Sequence, residues 1–432
     1  MKILFAQKLP YLPVLNGASR VGRCLLEGLA ERGHECRAIA LVGAPAEELK
    51  LLLESRNRND RPSLTILELS PSHQVFISNG VKVYAFANGA RLHERLKEQI
   101  QEFDPTWTII SEDPTYMLLA QATAIDRRHT IYFSQSQATL PFGPEAFVVD
   151  RFKKQMLEEV AGILTFSTYL KSYIQRWGGL DSFVASIPVY GVPPFPHLSS
   201  IDNPYVTMVN PSKIKGLPIF LELARRFRGV EFAAVPTWAT SAADQTALGS
   251  LPNVKILPPS ADVDDLFRRS RVLLVPSLWG EAFGLVVVEA MLRGIPVLAS
   301  DVGGLREAKL WVDFLLPVRR IERYESRRDE NGMPIPVVPD QNVDAWDGAL
   351  RKVLSDKGEF NRISVESRKA AMDYVLELSI VPTEQYLEDL VQRRSSHTVA
   401  TKDQKTDLSK FLARLPAEKL EVLAAQLRKY SQ

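Results

Sequence analysis

The sequence predicts an α/β protein of two doubly wound parallel-sheet halves, joined by a proline-rich crossing and followed by a short helical tail. Three observations carry this. Short apolar runs alternate with amphipathic helical stretches along most of the chain, the pattern of a parallel sheet covered on both faces. The 432 residues exceed one ordinary domain and suit two or three. Residues 188–196 hold four prolines and a glycine, which suits neither a helix nor a central strand, and the chain divides there.

Residues 2–6 read as the first strand, and a loop through Asn16 and Gly17 leads into a helix over 19–32. Gly33 stops that helix, and 35–42 form the next strand. Further strands at 106–110, 130–133 and 162–166 complete a first half covering 1–190. In the second half, 197–372, strands fall at 205–209, 231–235, 254–257, 272–275 and 296–299, with helices such as 217–226 and 263–270 between them. From Asp344 the pattern turns helical. Residues 373–391 are expected to form a helix packing back on the first half, 392–407 a polar linker, and 408–432 a helical tail. In that tail Leu408, Phe411, Leu412 and Leu415 repeat at helical spacing, and Pro416 opens a segment carrying Leu420, Leu423 and Leu427. So short a pair makes little core alone; it must pack on the body, on a copy of itself or on a partner.

Hydrophobic residues make up 45% and charged residues 24%, enough apolar content for full cores. A net charge of +2 argues against a protein that coats nucleic acid. The two cysteines, Cys24 and Cys36, have neither metal-ligand spacing nor the numbers for a disulfide scaffold, so a reducing compartment is expected. The first apolar run, Ile3 to Ala6, is too short for a signal-peptide core or a membrane span. The expectation is a cytoplasmic protein, with peripheral membrane contact left open.

The most informative stretch runs from Val275 to Gly304. A strand ends at Pro276, a glycine-containing loop follows, and a helix starts near Phe283 and stops at Gly294. A glycine-bearing loop that opens a helix leaves N–H groups free at the positive end of the helix dipole. That end favours phosphate by about 0.3–1 kcal/mol. Glu289 follows Glu281 by eight residues, roughly 12 Å along a helix axis. That length is of the order separating a sugar from a ribose across a diphosphate. The spacing alone also suits a solvated carboxylate at a helix start and another on its flank.

In its context the stretch resembles glycosyltransferase family four, retaining enzymes of the GT-B fold in which two Rossmann-like domains face a cleft. The shared signature is two glutamates with seven residues between, after a proline–serine strand end and before a glycine–isoleucine–proline–valine turn; all are in register here. The resemblance covers about residues 1–390 and is specific from Val275 to Gly304. It implies a hexosyltransferase-like enzyme that moves a sugar from a nucleotide-diphosphate donor to an acceptor hydroxyl, with no cofactor beyond that co-substrate. It also implies that Glu281 and the main chain of Ala282, Phe283, Gly284 and Leu285 meet the donor sugar, and that Glu289 holds the ribose.

The family pattern sets an arginine and, five residues later, a lysine before glycine against the diphosphate. Lys215-Gly216 matches the second, whereas Asn210 stands where the arginine belongs. Lys213 is a candidate for the missing charge, acting as a point charge rather than a bidentate fork. Gly17 matches the family's glycine loop and would let backbone approach the donor phosphates. That loop lacks the G-x-G-x-x-G of a dinucleotide-binding dehydrogenase. Trp238, Pro258 and Pro259 are candidates for the nucleobase wall.

Two strand ends of the first half look toward the same cleft. Glu112 and Asp113 follow the strand 106–110 and are acceptor-side candidates, since ligands sit at the carboxyl ends of strands in such sheets. Gln135 follows the strand 130–133, where relatives carry a histidine at the reacting centre; the amide can hydrogen-bond a sugar hydroxyl instead. Glu281, Lys215 and Gln135 form the expected catalytic set. No residue reads as a covalent nucleophile, so catalysis would rest on positioning and on stabilising the departing diphosphate. Asp262-Val263-Asp264 satisfies the D-x-D pattern of metal-dependent glycosyltransferases, but it opens a helix, where carboxylates complement the dipole. No metal is expected.

The tail is similar to short helical segments found around carrier-protein megasynthases. That likeness implies natural-product or glycoconjugate biosynthesis with a partner docked on 408–432; self-association is the alternative. Two other functions stay open. One is a sugar-nucleotide epimerase or phosphorylase of the same fold. The other is a non-enzymatic interaction protein, which Asn210 and Gln135 favour and the intact glutamate pair disfavours.

Overall fold

The computed structural model describes residues 1–14, 16–45, 64–111, 113–260, 262–329 and 334–398. The first half is built on β1 (Lys2–Pro10), β2 (Glu35–Leu41), β3 (Leu64–Leu69), β4 (His73–Ser78), β5 (Val81–Phe86), β6 (Trp107–Ser111), β7 (Thr130–Ser134), β8 (Gly162–Thr165) and β9 (Phe183–Val184). They form one sheet in the order β3-β4-β5-β2-β1-β6-β7-β8-β9. β1 runs parallel to both β2 and β6, and Ile3, Leu4, Phe5 and Ala6 are fully buried. Burial on both faces explains why this strand reads as an unbroken apolar run.

One edge departs from the expected parallel pattern. β3 and β4 pair antiparallel, as do β4 and β5. The turn between β4 and β5 is Asn79-Gly80, with φ of 44° and 82°. An Asn-Gly pair is the residue combination a two-residue hairpin turn requires.

The second half carries β10 (Tyr205–Val209), β11 (Glu231–Val235), β12 (Val254–Ile256), β13 (Ser270–Val275), β14 (Val297–Ser300) and β15 (Leu315–Leu316), ordered β12-β11-β10-β13-β14-β15 and all parallel. The second sheet reverses its strand order between β10 and β13, and the parallel part of the first sheet does so between β1 and β6. Those switch points are where parallel sheets open a crevice for ligands.

The helix Lys357–Glu377 runs through the boundary expected at 372. The last described helix, Val381–Thr398, returns to the first sheet: Trp107 Nε1 donates to Leu387 O (3.1 Å), and Tyr386 stacks on Phe183 at 4.3 Å. It continues into the stretch expected to begin a linker at Gln392. Gln and Arg are good helix formers, and a helix anchored upstream does not need an apolar face to extend by a turn or two. The remainder of that linker and the tail 408–432 lie outside the described residues. Among the described residues, no helix is long and apolar enough to cross a membrane.

The junction between the halves is apolar at its base. Phe166 meets the edge of Phe283 at 5.7 Å, and Phe283 stacks on Tyr374 at 6.0 Å. One buried cluster includes Phe5 and Leu25 from the first half together with Val287, Met291 and Ile363 from the second.

Candidate active site

The site begins at the carboxyl end of β13. From Pro276 the chain passes through Ser277, Trp279, Gly280 and Glu281 into the helix Leu285–Leu292. Gly284 caps that helix with φ of 111° and no side-chain hydrogen bond to its first turn. The positive φ suits glycine, and the uncapped N-terminus leaves donors at the positive end of the dipole.

Glu281 is nearly enclosed. Lys215 Nζ donates to both carboxylate oxygens, at 2.7 and 2.8 Å, Trp279 Nε1 donates at 3.2 Å, and Ser277 Oγ donates as well. Burial pushes the Glu281 carboxyl up, but the Lys215 charge and these three donors outweigh it and hold it below its ordinary value. Lys215 also lies 5.1 Å from the Trp279 ring centroid and 5.9 Å from that of Trp238, so two indoles flank its ammonium. The approach of the two loops requires Gly216. Its φ is 86°, and a Cβ there would stand 1.8 Å from Pro276 O.

Asn210, in the arginine's expected place, has a φ of 57° and is bonded to neither member of this charge pair among the described residues. Its Oδ1 accepts from Ala239 N–H (3.1 Å) and Thr240 Oγ1 (3.5 Å), pinning the turn that carries Trp238. Lys213 does not join Lys215 at Glu281. It is exposed and lines surface grooves with Leu217, Ser241 and Asp244.

Glu289, one turn into the helix, is buried and bonded to the Arg20 guanidinium. Arg20 belongs to the first helix, Gly17–Glu31, of the other half. Gly17 at that helix's start faces Leu285, whose Cδ1 would lie 3.2 Å from a Cβ on the glycine. Two helix N-termini, one from each half, therefore meet at the cleft.

Other first-half side chains grip the same loop. Gly280 N–H donates to Glu145 (3.0 Å), and Gln137 Nε2 donates to Gly280 O. Glu145 also accepts from Gln137 Nε2 (3.1 Å), the Tyr169 hydroxyl (2.8 Å) and Arg320. Ser167 donates to Ala282 O, and Glu307 accepts from Thr168 N–H at 3.0 Å.

Gln135 is buried at the end of β7 and donates from Nε2 to Ser111 Oγ (2.9 Å). It is Gln137, two residues on, that crosses to the Gly280 loop. Asp113 is fully buried and works as a cap: Leu118 N–H (2.6 Å), Leu119 N–H (3.2 Å) and Thr115 Oγ1 (2.7 Å) donate to it, with Lys8 at 3.5 Å. Its oxygens serve the helix Met117–Asp126. Glu112 lies outside the described residues. In the D-x-D stretch, Asp262 caps a helix by accepting from Asp264 N–H (3.0 Å), and Asp264 pairs with Arg293 at 2.7 Å.

Sequence reasoning missed Arg20, Gln137, Glu145 and Arg320. Each acts across the cleft, so no spacing along the chain marks it. Trp279 and Ser277 sat inside the recognised stretch and were within reach of that reading.

Residues 243–309, which include both glutamates, match the family described as glycosyl transferases group 1. A curated relative, the D-inositol 3-phosphate glycosyltransferase of Rhodococcus jostii, is 31% identical over 131 residues, 30% of this chain and 24% of that protein. The match therefore spans about a quarter of that relative's length. Among solved structures, sucrose-phosphate synthase from Thermosynechococcus elongatus superposes with a TM-score of 0.64 at 15% identity, covering 91% of this chain and all of that one. Anabaena HepE in complex with UDP-glucose gives a TM-score of 0.59 at 16% identity, with coverage of 91% and 100%. The segment 243–309 is thus similar to the glycosyl transferases group 1, and the fold is that of the GT-B structures.

Proposed function

We propose that this protein is a retaining glycosyltransferase that takes a sugar from a nucleotide-diphosphate donor and passes it to an acceptor hydroxyl without a metal. The observation that supports this most is the layout along one loop and helix. Glu281 is held ionised by Lys215 at one end, free N–H groups open the helix in the middle, and Glu289 stands a turn further on. A donor laid along this line meets hydrogen-bond acceptors at its sugar and ribose and positive charge at its phosphates. The HepE complex with UDP-glucose supports a nucleotide-sugar ligand for the fold.

In the proposed reaction Lys215 and the helix N-terminus stabilise the departing diphosphate, and the loop around Gly280 excludes water. Both carboxylates of the D-x-D stretch are engaged within the protein, which favours its helix-start reading. The test is thermal-shift binding against uridine, guanosine, adenosine and thymidine diphosphate sugars, with Glu289→Ala as control. Stabilisation by one donor, lost in the mutant, is the expected result. No shift with any donor would overturn the proposal in favour of an interaction protein on this scaffold.

A further inference from the structure

Asn210, which stands where the resemblance sets an arginine, is spent on the 237–240 turn. The first half delivers a guanidinium to Glu289. Gly17 touches Leu285, the first residue of the helix that carries the free N–H groups. Arg20 follows Gly17 by three residues, and Glu289 follows Leu285 by four. Each therefore lies about one turn, roughly 5 Å, from the point where the two helix ends meet. A phosphate bound at that junction is within the span of an arginine side chain.

We propose that Arg20 is the diphosphate-binding arginine of this enzyme, supplied by the opposite half and shared with Glu289, so that the donor site is complete only when the cleft is closed. The inference rests on the donor-site reading above and names a residue which that reading lacks. Arg20 donates from Nη1 to a single carboxylate oxygen, Glu289 Oε1, and no other side-chain hydrogen bond of Arg20 occurs among the described residues. A guanidinium has five N–H groups, so most stay free for phosphate oxygens while Glu289 Oε2 stays free for a ribose hydroxyl. The side chain is 29% exposed, open enough to reach a ligand in the cleft. The Glu289 carboxylate keeps the Arg20 guanidinium in its charged form.

The experiment is isothermal titration of the full chain and its Arg20→Ala, Arg20→Lys and Glu289→Ala variants. The probes are UDP, GDP, ADP and TDP, each beside its nucleoside monophosphate. For the diphosphate that the wild type binds, Arg20→Ala is expected to weaken binding about tenfold or more. The matching monophosphate loses less, and Arg20→Lys recovers part of the loss. An Arg20→Ala variant that binds the diphosphate as well as wild type, or better, overturns the proposal and makes the residue a latch on Glu289. Equal losses for di- and monophosphate also overturn it, since the residue then acts only through Glu289 or the fold. A wild type that binds none of the probes removes the donor site itself, a result distinct from the other two.

Discussion

The two signature glutamates stand on one loop and helix, yet they are held in opposite ways. Among the described residues, every side chain that donates to Glu281 comes from its own half: Lys215 from the loop after β10, and Ser277 and Trp279 from the loop after β13. Glu289 takes its charge partner from the other half, through Arg20. The Glu281 carboxylate is thus held within one half, although its neighbours Gly280 and Ala282 are gripped from the other, whereas the Glu289 carboxylate takes its charge partner from across the cleft. A substitution at the first carboxylate should damage one domain, and a substitution at the second should damage the relation between two.

The most severe way to break the Glu281 end is Gly216→Val. The backbone is left-handed there and the new side chain has no room beside Pro276, so a loss of at least about 3 kcal/mol is expected in urea denaturation. Wild-type stability would show that the loop gives way without cost.

Next is Glu281→Gln, which leaves the Lys215 ammonium, 17% exposed, facing a neutral amide. A loss of about 3 kcal/mol at neutral pH is expected, together with loss of transfer. The carboxyl is held below its ordinary value in the folded protein, so its contribution is present above the ordinary carboxylate range. It disappears as pH falls through the lowered folded value. The stability gap between wild type and variant should therefore narrow in acid; a gap that stays constant down to pH 3 on melting curves would contradict the ion pair.

Glu145→Ala sharpens the other side of the comparison. It removes the acceptor of Gly280 N–H, the Tyr169 hydroxyl and Arg320, and a loss of about 1–3 kcal/mol is expected. The larger sign should be a wider average cleft in small-angle scattering, and an unchanged profile would mean that the aromatic base alone holds the halves together. The smallest effect belongs to Lys213→Ala, expected within about 0.5 kcal/mol in stability and near wild type in donor binding, because that lysine is exposed and apart from Glu281. A tenfold loss of binding would return Lys213 to the diphosphate.

What the sequence made legible follows the same division. Strands of the second half, such as Tyr205–Val209 and Glu231–Val235, fall where the apolar runs place them, because strands covered on both faces need no alternation to be seen. Lys215 and Glu281 were legible because Lys215-Gly216 and the glutamate pair match the pattern of the resembled family; the structure brings them together from loops after the adjacent strands β10 and β13. The strands β3 and β4 went unread: β3 is partly exposed and β4 alternates half-buried with buried residues, so neither gives an unbroken apolar run, although Asn79-Gly80 was a usable hairpin signal. The capping role of Asp113 was not read, since a carboxylate at a strand end can cap the following helix as readily as face a ligand. Arg20 and Glu145 were out of reach, because their roles arise only from the packing of one half on the other.

The return of the last described helix to the first sheet has a mechanical consequence. The chain crosses between the halves at the proline-rich segment 188–196 and again just before Val381, where Ser379 N–H bonds Ser186 Oγ at 3.2 Å. The outgoing and incoming strands of the polypeptide are tied to one another at that point, as two leaves share one pin. Rotation about such a pin parts the rim at Glu145 and Arg320 far more than the aromatic floor at Phe283 and Tyr374, so this protein should open like a book held at its spine.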